Sequence, residues 1–97
     1  MMGEIKFYSK EENEFTLISF EMTDVLEPKD LFFIVPPKVN GAKGVILSGR
    51  GPIWLYCFLT HFYHPTKFIA TYDPRLEGAI IVERHAPEYN VGSVLKC

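Results

Sequence analysis

The sequence is short of cysteine, of net positive charge and of long apolar runs, and each shortage removes a class of protein. Two cysteines, Cys57 and Cys97, in 97 residues cannot build a disulfide framework. A formal charge of −2 argues against a general nucleic-acid or DNA binder, which carries a basic face. Any anion site must then be local, built from a few arginines and backbone N–H groups. No apolar run reaches membrane length and no leader pattern opens the chain, so the expectation is a cytoplasmic protein without a membrane partner. The phosphate-loop pattern Gly-x-x-x-x-Gly-Lys-Ser/Thr is absent, as are Cys-x-x-Cys, His-Glu-x-x-His and the Gly-x-Ser-x-Gly elbow. Repeats and low-complexity segments are missing as well.

What is present is apolar and aromatic. Nearly half the residues are hydrophobic, with eight Phe and five Tyr, enough for one globular domain over residues 1–97. Some apolar surface should remain for a partner subunit. The chain is organised around Gly44 to His64, which reads as a strand, a glycine-rich turn and a helix. Gly44 to Leu47 is a short β-branched run that Ser48-Gly49-Arg50-Gly51 interrupts. Pro52 marks the helix start, where its missing N–H costs nothing. Trp54, Leu55, Phe58, Leu59 and Phe62 share one stripe, Cys57, Thr60, His61 and His64 share the other side, and Pro65 ends the helix.

Around this unit the chain reads mostly as strands. Glu4 to Ser9 and Phe15 to Met22 form a hairpin over the polar turn Lys10 to Asn13. Pro28, with Leu31, Phe32 and Ile34 behind it, predicts a short helix, and Val35 to Ala42 is a long loop. Lys67 to Tyr72 and Ala79 to Arg84 are strands joined by a turn over Asp73 to Gly78, and the tail offers only a short edge strand. Strand, crossover helix and strand in one sheet should run parallel, and the tight-turn pairs antiparallel. The expected fold is α+β: a two-layer mixed sheet of four to five strands with one long and one short helix.

Three polar clusters carry the chemistry. Ser48 and Arg50 flank a helix start, whose free N–H groups and partial positive charge suit an anion. Equally, these residues are what a tight strand-to-helix turn with a surface arginine needs. Asp73 and Arg75 follow the second parallel strand and so share an edge with the first cluster; Asp73 could also be a simple turn cap. His61 and His64 lie three apart on one helix face, and His85 ends a strand that returns to the same edge. They fit a metal or acid–base site, or dipole-stabilising histidines at a helix end. About twelve residues, or roughly 18 Å of helix, separate arginines from histidines. Those clusters should occupy opposite edges of a subunit, and a reaction using both needs molecules stacked edge to edge.

The run Ser48-Gly-Arg-Gly-Pro-Ile-Trp-Leu, with His61, His64 and Tyr72-Asp73-Pro74-Arg75, resembles the small manganese-dependent ring nucleases of type III CRISPR systems. The resemblance implies a ferredoxin-like domain related to CRISPR-associated Rossmann-fold sensors. The implied activity is a phosphodiesterase that degrades cyclic tetra-adenylate. Ser48, Gly49, Arg50 and Gly51 would then cradle phosphates, and His64, Asp73 and Arg75 would be catalytic. His61, His64 and His85 would hold Mn2+, and homodimers would stack into tetramers or head-to-tail filaments around the ligand. Imidazoles alone favour zinc, nickel or copper, so water and phosphate oxygens would have to complete a manganese shell, or another metal would take its place. Two alternatives stay open: a manganese-dependent 3′ exonuclease on single-stranded RNA, and a non-catalytic cyclic oligoadenylate sensor.

Overall fold

Val45, Ile46 and Leu47 are each 0% exposed, and Gly44 before them is buried too. An apolar run without polar alternation needs cover on both faces, which places it mid-sheet. In the computed structural model, which describes residues 4–97, that run is β3 (Gly44–Gly49) of a six-stranded sheet. The others are β1 (Ile5–Glu11), β2 (Phe15–Met22), β4 (Phe68–Asp73), β5 (Gly78–Arg84) and β6 (Val94–Lys96). One helix, α1 (Ile53–Phe62), joins β3 to β4, and a 3-10 turn, Pro28–Phe33, lies between β2 and β3. Spatial order is chain order, β1 to β6. β2, β3 and β4 run parallel to one another, while β1–β2, β4–β5 and β5–β6 are antiparallel.

The two faces of the sheet are dressed differently. On one, Ile18, Phe20, Val45, Leu47 and Ile69 meet Leu55, Leu59 and Tyr63 of the helix region and Leu26 of the β2–β3 connection. Each such fully buried side chain stabilises by about 1.5–3 kcal/mol. On the other, Ile46, Phe68, Ala70, Ala79 and Ile81 are buried beneath the partly exposed Phe15, Leu17, Tyr72, Tyr89 and Leu95. The helix begins after Pro52, whose carbonyl accepts from the Leu55 N–H at 3.0 Å. It ends at Tyr63, ahead of Pro65, which has no N–H to continue the ladder. Buried Thr66 donates its hydroxyl to the Tyr63 carbonyl at 2.7 Å, satisfying one of the groups a helix end leaves over. The Tyr63 hydroxyl in turn donates to the Pro37 carbonyl at 2.7 Å and pins the long loop; burial pushes this phenol well above its ordinary pKa.

Several expectations are corrected here. The sheet has six strands and the fold is mostly β, not a ferredoxin-like α+β domain of four to five strands. A ferredoxin-like unit needs two crossover helices; here there is one helix of 10 residues, shorter than expected, and a 3-10 turn in place of the second. That second helix fails because Pro36 and Pro37 force the residues before them out of the helical region. A Rossmann-type sheet carries helices on both faces, whereas α1 and the 3-10 connection pack on the same one. The helix stripe is also shifted: Phe62 is 42% exposed, and Tyr63 at 2% takes the buried place. Hairpin, parallel pair, second hairpin and edge strand form as the sequence predicts. No helix among the described residues is long and apolar enough to cross a membrane.

Glu77, at the end of the β4–β5 turn, has φ 50, a left-handed conformation that costs a residue with a Cβ roughly 1–2 kcal/mol. Glu77→Gly should stabilise by about 0.5–1 kcal/mol once glycine's extra unfolded-state entropy is subtracted. Urea unfolding checks this, and a lower midpoint for Glu77→Gly would count against the strain.

Candidate functional site

The helix covers β2, β3 and the Ile69 end of β4 on its face, but not the later part of β4 or β5. Beside it a groove of about 990 Å³ lies open. Thr71, Ile80, Val82 and Glu83 form its floor, and Tyr56, Cys57, Thr60 and His61 form the helix wall. Its ends hold the two expected clusters, His64 with Glu83 at one and Asp73 with Arg75 at the other.

At the histidine end the structure brings together His64, Glu83 and His85, with donor atoms within 4.8 Å of one another. His61 lines the wall but is outside this group, so the expected trio of histidines is not assembled. Glu83 replaces it, a residue missed in the sequence because simple alternation puts it on the same face as Ile81. A bulge reverses that parity. Ala70 pairs with Ile81 while Ile69 pairs with Glu83, leaving Val82 as the extra residue. Glu83 and His85, two apart, are thereby both turned to the helix face. The Nδ1 of His64 lies 2.8 Å from Glu83 Oε1, and the Nδ1 of His85 lies 3.0 Å from the Thr66 carbonyl. Carboxylates and carbonyls only accept, so both rings carry a proton on Nδ1, and in the neutral ring Nε2 is the nitrogen with the free lone pair. The two rings meet edge to face at 4.7 Å. Two imidazole nitrogens beside a carboxylate's negative charge fit a divalent transition metal.

At the other end Arg75 grips Asp73 three times. Its Nε, Nη2 and backbone N–H donate to the carboxylate at 3.2, 3.0 and 2.9 Å. The side-chain bonds from Arg75 hold the Asp73 carboxyl below the usual carboxylate range. An ionised carboxylate held by three donors orients a guanidinium well and accepts a proton poorly.

The glycine-rich turn divides its residues among different surfaces. Gly51 lines the groove, and Arg50 stands exposed with no partner for its guanidinium among the described residues. Gly49 has φ 153, and a Cβ there would lie 2.4 Å from the Phe20 carbonyl, so only glycine fits. Tyr56 donates its hydroxyl to the Gly49 carbonyl and stacks edge-on against Phe20, anchoring the turn to the helix. Burial raises the Tyr56 pKa, keeping it a donor. Ser48 is not beside these groups: it lines a depression on the opposite sheet face with Lys10, Phe15 and Tyr72. The expected four-residue cradle is thus split across the sheet.

Glu83 faces Ile69, and Asp73 lies four residues further along β4, so about 13 Å separates the two ends. No single reacting atom meets both within a subunit. An extended ligand in the groove can touch both.

A family model described as CRISPR-associated protein (Cas_csx3) matches residues 19–96. An uncharacterized protein from Aquifex aeolicus (strain VF5) is 54% identical over 85 residues, covering 84% of this chain and 77% of that protein. The matched region contains the turn, the groove and all three members of the His64 cluster.

Because Arg75 depresses the Asp73 pKa, the pair stabilises the fold above the unfolded carboxylate pKa of about 3.9, and that contribution is lost as pH falls through the lower folded value. Arg75→Ala should return the Asp73 carboxyl to the ordinary range, as read by carbon NMR titration. An unmoved Asp73 titration would mean that the guanidinium does not hold it.

Proposed function

The chain belongs to the CRISPR-associated Cas_csx3 family, and we propose that it is a metal-dependent phosphodiesterase that degrades cyclic tetra-adenylate at a site shared between stacked dimers. The observation that carries this reading is the separation of two complementary half-sites, a cation-type cluster at His64 and a guanidinium site at Arg75. Alone, each half is incomplete for phosphoryl chemistry; apposed across two molecules, they supply what the reaction needs. The resemblance of the Ser48–Leu55 and Tyr72–Arg75 runs to ring nucleases supports the same substrate.

In this reading His64 and His85 hold Mn2+, with Glu83 beside them. The bound cation supplies positive charge that polarises a phosphoryl oxygen. Arg50 and the free N–H groups at the start of α1 attract ligand phosphates. Arg75 neutralises charge that develops on the phosphoryl group, and Asp73 fixes the guanidinium for that purpose rather than taking a proton. Ser48 faces the other side of the sheet and takes no part at this site.

A second reading draws on the groove itself. Open to solvent and running from His64 to Arg75, it is long enough for an extended chain within one subunit, which favours a 3′ exonuclease acting on linear single-stranded RNA. Incubation with cyclic tetra-adenylate or linear oligo-adenylate, with and without manganese, separates the two. Products from the linear RNA alone would replace the first reading, and tight binding without products would indicate a sensor.

Arg50→Ala should weaken capture of cyclic tetra-adenylate by about 1.5–3 kcal/mol without unfolding the chain, since Arg50 is exposed. An unchanged Kd would remove it from the site. Asp73→Ala and His64→Ala should each be inactive, and mixing them should restore part of the activity through one intact pairing. A mixture as inactive as its components, with both variants folded, would rule out the shared site.

A further inference from the structure

We infer that Glu83 is a positioning residue that fixes the tautomer and ring orientation of His64, and so sets how tightly this end of the groove takes a divalent cation. The inference rests on the reading of His64 and His85 as the cation's holders, and it concerns a side chain with no other assigned role.

Three observations converge on it. First, the 2.8 Å contact from His64 Nδ1 to Glu83 Oε1 is the one hydrogen bond of the His64 ring among the described residues. His64 is 60% exposed at its side chain and Glu83 31%, so the more enclosed group restrains the freer one. Second, the chain spends an extra residue, Val82, on the bulge that turns Glu83 towards the helix face. Without the bulge Glu83 would face the opposite surface, and no carboxylate would stand beside His64. Third, His85 is held in the same sense by a different device, the Thr66 carbonyl at 3.0 Å. Thr66 is itself buried and anchored through the Tyr63 and Phe68 carbonyls. Both imidazoles therefore present Nε2, one fixed by backbone and one by Glu83. His64 lies beyond the last helical residue, Phe62, where no intrahelical packing fixes its ring. Glu83 supplies what the helix does not.

A carboxylate behind an imidazole does two things. It holds the Nδ1–H tautomer, leaving Nε2 to bind a cation, and it makes that nitrogen more basic; loss of such a partner typically costs 10–100-fold in metal affinity. It also brings negative charge to a pair of imidazoles that would otherwise favour zinc, nickel or copper over manganese.

The test uses the full chain labelled with 15N-histidine, free of metal and at mildly alkaline pH, where imidazole is neutral. Proton–nitrogen correlation spectra should show His64 as the Nδ1–H tautomer. Glu83→Ala should let the ring sample both tautomers and weaken Mn2+ binding by about 10–100-fold, read from the EPR signal of the free ion. Glu83→Gln keeps an accepting oxygen and should retain the tautomer, with affinity well above that of Glu83→Ala. An unchanged His64 tautomer in Glu83→Ala overturns the inference. So does a Glu83→Gln protein with the tautomer intact and Mn2+ binding as poor as in Glu83→Ala, because Glu83 would then be a direct ligand. Wild-type protein that binds no Mn2+, yet loses the tautomer in Glu83→Ala, would retain the positioning role and defeat the cation reading instead.

Discussion

The handedness of the parallel crossovers constrains almost everything else in this fold. Two successive right-handed crossovers that advance in one direction across a sheet must lay their connections on one face. The β2–β3 and β3–β4 connections do so, sharing the core of Ile18, Val45, Leu47 and Ile69. The chain then turns back through two hairpins, β4–β5 and β5–β6, which contribute no layer of their own. The covered face is therefore wider than its cover. A single 10-residue helix, about 15 Å long, leaves β5 and the part of β4 beyond Ile69 uncovered beside it, and this shortfall is the groove. The groove does not arise from a special loop; it is what remains when six strands share one short helix.

Its two ends are furnished by irregularities in otherwise regular strands. At the histidine end the Val82 bulge changes which residues of β5 face the helix. At the other end the sharp β4–β5 turn lets Asp73 and Arg75, two residues apart, close on each other. The Gly49 turn is fixed by the approach of the Phe20 carbonyl and by the Tyr56 hydroxyl. In each case backbone geometry aims a side chain that secondary-structure type alone would leave undirected.

That contrast explains what was legible in the sequence. The β1–β2 hairpin, the parallel pair around α1 and the β4–β5 hairpin follow from alternation, proline positions and connection length. His64, His85, Asp73 and Arg75 could be placed on two ends because strand direction fixes which ends coincide. The number of strands was less legible, since Val94–Lys96 is three residues with no pattern of its own and pairs only because β5 presents an open edge. Helix content was overestimated where the prolines at 36 and 37 stop the chain after one 3-10 turn. Glu83 was illegible for a sharper reason. A bulge shifts parity by one residue, and nothing in Ile80-Ile-Val-Glu83 announces it. The two-residue spacing from Glu83 to His85 was the one available signal, because such residues share a strand face.

The electrostatic difference between the ends bears on which of them handles protons. Asp73 accepts three hydrogen bonds from Arg75, which favours its ionised form and makes it a weaker base. That end can offer fixed positive charge but little basicity. The histidine end is different: the Nδ1 atoms of His64 and His85 face a carboxylate and a backbone carbonyl, which leaves each Nε2 without a protein partner among the described residues. In the proposed reading, charge stabilisation and proton or cation handling would fall to places about 13 Å apart on β4. General acid–base groups act within hydrogen-bond reach of the proton they move. A reaction needing both functions at one phosphate must bring the ends together by translation of one molecule against another, or by a ligand long enough to present different phosphates to each. The rigidity of a strand, which fixes that distance, is what makes the two arrangements chemically distinct.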